Sequence, residues 1–468
     1  MTLIPKNISR ITLLVIGLIL FRSFLNYSIP LMDKTEARYA EIARIMEETD
    51  NWVTLQIDYD VAFWAKPPLS TWLTAISFRL FGVNEFAARL PSLLFNIIIV
   101  LLVGMYAKRK NQHYLLPALI LLTIPEFLIH AGVVSTDTAL SFCVVLVMIS
   151  FWEALRSETE KGWKYLLFVG LGLGLLAKGP IVFILTLPPL FIWCLIFKQF
   201  KKVWQTFSYI IGIIIVALIS VPWYYLAEQR SPGFFDYFII GEHFKRFLSS
   251  GWQGDKYGFP KSQPLGMIWV FLFLFALPWI QLAAIKLWEN RSTWLKNKWI
   301  TFLVLWLLWT PLFFTVSKSL IHPYILPVMV PLALLINFWW QDFRSRKKIL
   351  GIALIFPVLA LLLYVVVLIG GKSTYYSNSD KFLIENHYDG TVPLYNWQQK
   401  SYSSQFYTKG NLKVVEDINK LSERINENEP FLVIIPHKRI TNIDVSTMNL
   451  FEELDSNYKK GIYLFNKK

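Results

Sequence analysis

Eleven apolar runs divide this chain, near residues 11–29, 86–107, 114–131, 137–155, 164–178, 180–197, 206–226, 264–287, 299–315, 322–340 and 349–370. Several approach or exceed the roughly 18 apolar residues that mark a spanning helix. A shorter segment, 69–81, reads as an interfacial or re-entrant helix, or as part of a longer second span. The pattern predicts a mainly α, polytopic membrane protein of about 11–13 spans.

Composition agrees. Only 17% of the 468 residues are charged, 55% are hydrophobic, and the mean hydropathy is +0.45. Soluble proteins average about 25% charged residues, and one this apolar could not cover its surface. The first run has the charge and length of a signal peptide, but no small-residue cleavage site follows it, so it is read as a retained helix. Cys143 and Cys194 lie inside apolar runs and read as small core residues, without a disulfide or metal role.

Alternate connections carry positive runs: Lys108-Arg109-Lys110, Lys198 with Lys201 and Lys202, Lys296 with Lys298, and Arg344 to Lys348. The positive-inside rule places these in the cytoplasm, together with the N-terminus. Residues 30–85, 132–136, 227–263 and 316–321, and everything after 371, then face outward. The chain is expected to divide into a membrane domain, 1–370, and a small α/β domain, 371–468, outside the membrane. In the latter, "PFLVIIP" and "GIYLFNKK" read as strands and "VVEDINKLSERINENE" as a polar helix.

Cations on the outer side need a reason. Most of them, Arg38, Arg44, Arg89 and Lys318 included, fit a solvated loop face or snorkelling to headgroups. Lys66 differs, because Pro67 and Pro68 restrict the backbone and hold it at a membrane boundary. A cation fixed there suits an anionic lipid head such as a phosphate.

Three further outer clusters stand out. In "MDKTEARYAEIARIMEE", Tyr39, Ile42 and Met46 recur at helical spacing, as in an amphipathic helix lying on the membrane. Asp33 and Glu36 there also have the spacing of a capping box. Asp137 sits at the mouth of a span, as a helix cap or a functional carboxylate. His243 and Arg246 stand three apart, on one helix face, in a loop rich in aromatics.

"TEARYAEIARIM", "KPPLSTWLTAISFRLFGVNEFAARLPS", "STDTALSF", "LLAKGP", "PWYYLAEQRSPGFFDYFIIGEHFKRF" and "HPYILPVMVPLAL" together resemble the bacterial aminoarabinose-transferase family. Its members are GT-C superfamily enzymes related to the protein O-mannosyltransferases. The likeness runs in order through roughly the first 340 residues and leaves the C-terminal region unmatched.

The resemblance implies a GT-C helix bundle that moves a sugar from a polyprenyl-phosphate donor to lipid A, another glycolipid or a protein at the outer face of a bacterial inner membrane. It places Glu36 beside Arg38 and Tyr39, gives Lys66 the donor phosphate with help from His243 and Arg246, makes Asp137 a second carboxylate, and maps a tyrosine to Tyr324. This chain departs from the pattern at Thr35, where the family has Asp, at Ala65, where it has Glu, and at "LIHPY", whose nearest lysine is Lys318. The base therefore stays open among Glu36, Asp137 and Asp33.

The chemistry points the same way. Nucleotide sugars are not available outside the membrane, so an outward site must use a lipid-linked donor. The departing phosphate needs preorganised cations, and the acceptor needs a carboxylate to orient or deprotonate it. A single displacement inverts the anomeric carbon. No cofactor is required on this scheme. Asp58 and Asp60 of "IDYD" have the spacing of a divalent-cation motif, although a turn suits this sequence better. Expected partners are the lipid-linked donor, the acceptor and membrane lipids, not nucleic acid. The rival readings are a transporter or flippase of lipid-linked sugars, which should show inverted repeats and interrupted midplane helices, and a non-catalytic scaffold.

Overall fold

The computed structural model describes residues 9–156, 162–245, 252, 254, 256–257 and 262–466. Its helices are α1 (Arg10–Ser28), α2 (Thr35–Thr49), α3 (Leu69–Phe81), α4 (Glu85–Lys108), α5 (Leu116–Leu122), α6 (Pro125–His130), α7 (Thr136–Arg156), α8 (Trp163–Lys178), α9 (Ile181–Phe197), α10 (Phe200–Thr206) and α11 (Tyr209–Arg230). Beyond these lie a π-helical segment, Asp236–Lys245, and further apolar helices, among them Met267–Phe275, Lys298–Phe314 and Ile355–Gly370.

The chain is a multi-pass membrane protein. Among the described residues, five helices are long and apolar enough to cross a bilayer, and the pair Met267–Phe275 and Trp279–Glu289, bent by 104°, forms either a broken sixth span or a re-entrant loop. The other apolar runs are helical too, but shorter or interrupted. The run 114–131 breaks into α5 and α6, because Pro125 cannot continue a helix and instead starts a new one. The run 322–340 opens with a 3-10 turn, His322–Val328, with Pro323 at its start and Pro327 inside it. Exposed apolar side chains concentrate on the outer helices: Leu359, Leu363 and Ile369 on Ile355–Gly370, and Ile210, Ile213 and Leu218 on α11. Such faces suit lipid.

Helix α7 is the axis of the bundle, with 89% of its apolar window buried. At 21 residues it is about 30 Å long, and it separates two charged ends. At one end Glu153 accepts from Arg109, Arg156 and Tyr106, tying in the basic 108–110 connection. At the other end stands Asp137.

Helix α2 corrects the expectation of a membrane-surface helix. Ile42 and Met46 are buried, but so are Ala37, Ala40, Ala43 and Ile45 on its other faces. It is sandwiched between α3 and the helix Tyr402–Tyr407. Its polar side chains tolerate this because Arg44 grips the buried Glu41 with two hydrogen bonds of 2.7 Å. At 13 residues, α3 is too short to span. It stops at Gly82, whose positive φ of 77° ends the helix, and Asn84 then caps α4.

The C-terminal residues form a five-stranded sheet in the order β4-β3-β5-β7-β6, from β3 (Leu394–Trp397), β4 (Lys413–Val415), β5 (Phe431–Pro436), β6 (Phe451–Ser456) and β7 (Lys460–Phe465). Strands β3, β4 and β5 are parallel, while β7 runs antiparallel to both β5 and β6. The two expected strands are β5 and β7. The expected polar helix is Ile418–Asn426, capped by Asp417. A separate two-stranded hairpin, β1 (Gln56–Asp58) and β2 (Val61–Ala62), turns through Asp60 at φ 60°. The "IDYD" segment is thus a turn, and its Asp58 pairs with Lys400 at 2.7 Å.

Candidate active site

A cavity of about 560 Å³ opens at the Asp137 end of α7. Six segments and Tyr257 wall it: the start of α2, the Ala65–Lys66 bend, the start of α7, the α8–α9 junction, the π-helical segment, and the stretch from Phe314 to Pro327. Four cations and three carboxylates line it, namely Lys34, Arg38, Lys66 and Lys178 with Asp33, Asp137 and Glu242.

Lys66 lies directly before the two prolines, and α3 begins as soon as they end, at Leu69. Its ammonium donates to Glu242 Oε2 at 2.7 Å and to its own neighbour's carbonyl, Ala65 O, at 2.6 Å. Its side chain is only 16% exposed. A charge so enclosed requires a partner. The carboxylate that supplies it comes from the π-helical segment, 176 residues away.

Lys178 ends α8 inside "LLAKGP". It donates to Asp137 Oδ1 at 2.5 Å and lies 4.4 Å from the Tyr324 ring centroid. Gly179 follows with φ +81, and a Cβ there would sit 2.9 Å from His243 Nε2 and 2.7 Å from the Phe238 ring. Only glycine permits both the turn and this approach. His243 Nδ1 faces Phe238 O at 2.8 Å, and Nε2 faces Lys178 O at 3.1 Å. Burial lowers the His243 pKa by more than the two carbonyls raise it.

Asp137 is not the cap of its helix. Ser135 Oγ accepts the Asp137 amide and donates back to its Oδ2, which leaves the carboxylate facing Lys178. The Arg38 guanidinium lies 5.3 Å from the Tyr39 ring centroid and 5.6 Å from that of Phe63, and donates to Tyr257 O at 2.6 Å.

Of the residues expected from the sequence, Asp33, Arg38, Tyr39, Lys66, Asp137, His243 and Tyr324 line this cavity. Glu36 does not. Its two oxygens receive Arg89 Nε and Nη2 at 2.8 Å each, in a buried pair. The same guanidinium also binds the carbonyls of Asn26, Ile29 and Pro30, pinning the end of α1. Lys318 is exposed and outside the lining, and its carbonyl accepts from Gln263 N. Arg246 lies outside the described residues.

Asp33 forms no capping box, since Lys34 occupies the cap position of α2 without a side-chain bond. The Asp33 carboxylate instead receives the amide and hydroxyl of Ser403. Burial and the neighbouring Asp380 push its pKa up, while Lys460 holds Asp380 below its usual range against burial. This cluster ties the C-terminal sheet region to the cavity rim. Lys178 and Glu242 escaped the sequence reading as site residues. Lys178 is followed by Gly179-Pro180, helix-breaking residues like the Pro67-Pro68 that singled out Lys66, whereas Glu242 had only its place beside His243.

The family model for dolichyl-phosphate-mannose-protein mannosyltransferases matches residues 14–238. An undecaprenyl phosphate-alpha-4-amino-4-deoxy-L-arabinose arabinosyl transferase from Pseudomonas fluorescens (strain Pf0-1) is 30% identical over 348 residues, covering 72% of this chain and 60% of the relative. One from Yersinia pestis (strain Pestoides F) is 31% identical over 351 residues, covering 72% and 61%. The chain thus spans about three fifths of the length of these curated relatives. The crystal structure of ArnT from Cupriavidus metallidurans bound to undecaprenyl phosphate superposes with a TM-score of 0.74 over 97% of both chains at 19% identity, a likeness of fold.

Proposed function

Because the chain is an aminoarabinose-transferase-like protein with the GT-C fold, we propose that it is a glycosyltransferase that moves a sugar from a polyprenyl-phosphate donor to a lipid A, glycolipid or protein acceptor. The observation that carries this reading is the gathering of Arg38, Lys66 and Lys178 with Asp137 in one cavity at one end of α7. The relatives named above, by their own names, are arabinosyl transferases acting from undecaprenyl phosphate donors.

The donor phosphate enters between Lys66 and Lys178, and the polyprenol leaves carrying the phosphate. The acceptor heteroatom attacks the anomeric carbon from the opposite face. The bond to the phosphate oxygen breaks with its electron pair, and the acceptor proton passes to Asp137. Inversion follows. The cations stabilise the charge that develops on the leaving phosphate, the kind of preorganised contact worth about 10²–10³ in rate per group. Tyr324, held against Lys178, and Tyr39, beside Arg38, shape the wall that meets the sugar. We assign the charge stabilisation to these side chains without a metal.

The alternating basic connections support a cytoplasmic N-terminus, with the cavity and the C-terminal region on the outer face of the bacterial inner membrane. The five-stranded sheet, with hydrophobic clusters of its own, supports treating residues 1–370 and 371–468 as separate domains. The test is transfer of radiolabelled sugar from polyprenyl-phosphate donors in membranes, comparing wild type with Lys66→Ala at equal abundance. Transfer by wild type alone supports the reading. Equal transfer by both removes Lys66 from the donor site.

A further inference from the structure

A second polar cluster stands outside the cavity and takes no part in the scheme above. Glu126 and His130 are four residues apart on α6, hence on one face of the helix. His322 reaches them from the 3-10 turn of the run 322–340. Its Nδ1 lies 3.0 Å from both Glu126 carboxylate oxygens, and His130 Nδ1 lies 3.1 Å from Glu126 Oε1. One donor atom from each residue falls within 4.8 Å of the others.

We propose that Glu126, His130 and His322 form a transition-metal site, with zinc as the ion that fits it. Ligands at 2.0–2.1 Å in a tetrahedron stand about 3.3 Å apart, close to the two observed spacings of 3.0 and 3.1 Å to Glu126, while the third pair stays within 4.8 Å. Two imidazoles and a carboxylate favour zinc and its neighbours over calcium or magnesium. Glu126 and His130 are buried, and the His322 ring is stacked on Phe275 at 4.8 Å and meets His130 edge-on at 5.6 Å. His130 Nδ1 also lies 3.1 Å from the Glu126 carbonyl, a contact that any ring carrying its hydrogen on Nδ1 would make and that the ion replaces.

The position gives the site a purpose. None of the three residues lines the reaction cavity, yet Ile321, Pro323 and Tyr324, on either side of His322, all do. The ion clamps the Tyr324 wall to α6, and so fixes a sugar-facing surface without touching the reaction.

The full chain is purified in detergent without a polyhistidine tag, loaded with zinc chloride, desalted and analysed for metal. Wild type is expected to keep about one zinc per chain and to melt higher with zinc than after chelation. His322→Gln and Glu126→Gln are expected to fall to background and to lose the zinc-dependent rise in Tm. Background zinc and no Tm response in wild type would overturn the site, leaving a hydrogen-bonded triad. Wild-type stoichiometry in His322→Gln would overturn it too, since the ion would then sit elsewhere. Should the variants fail to fold, cobalt(II) added to wild type decides. Visible tetrahedral absorption that zinc removes supports the site, and its absence refutes it.

Discussion

Lys66 and Glu242 form an ion pair of 2.7 Å that closes one side of the cavity. Glu242 thereby satisfies the lysine from a distant segment, although the residue next to Lys66 in sequence is the neutral Ala65. An arriving phosphate must share this ammonium or displace the carboxylate. Lys66→Ala is expected to lower kcat/KM by about 10²–10³, the cost of removing one group that binds developing charge. Glu242→Gln removes the competitor and is expected to lower the donor KM by about tenfold, equivalent to ~1.4 kcal/mol. Initial rates across donor concentrations measure both, and a raised KM would show instead that Glu242 positions the lysine.

Asp137→Asn keeps the shape of the carboxylate but cannot take a proton. Single-turnover transfer should slow by about 10²–10⁴ while donor affinity changes little. An unchanged rate would move the base elsewhere, with Asp33 and Glu242 the remaining carboxylates of the cavity.

Glu36 offers a contrast between structure and catalysis. Arg89→Ala leaves its carboxylate buried without its partner, and should cost about 3–5 kcal/mol of stability. Thermal unfolding in detergent measures this. Glu36→Gln should be milder, keeping one acceptor for Arg89, and should retain transfer at temperatures where it stays folded.

His243 predicts a pH dependence. Its folded pKa is lowered by burial, so the fold favours the neutral ring. The stabilisation is fully present above about pH 6.5, the ordinary imidazole value, and is lost as the pH falls through the lowered folded value. Melting temperatures of wild type should drop below about pH 6.5 more steeply than those of His243→Gln. Parallel curves would remove His243 as the cause.

The C-terminal region is held by the Asp33–Ser403 contact. Ser403→Ala leaves a buried carboxylate short of one hydrogen bond and should cost about 1–3 kcal/mol. Limited proteolysis should then cut the C-terminal residues faster than in wild type.

The membrane class, the helical runs and the boundary lysine were legible in the sequence because each rests on local chemistry. Apolar length defines a helix in lipid, and two prolines define where α3 can begin after Lys66. Strands β5 and β7 and the helix Ile418–Asn426 were readable for the same reason, through short-range pattern. Tertiary structure alone decided which acids meet which cations. Glu36 stood beside Arg38 in the chain, yet Arg89, 53 residues away, claimed it. Asp33 has a helix-cap spacing, yet Ser403, 370 residues on, offers its amide and hydroxyl. A buried charge goes wherever folding brings it enough hydrogen-bond partners, and that is a property of packing, which no local spacing records.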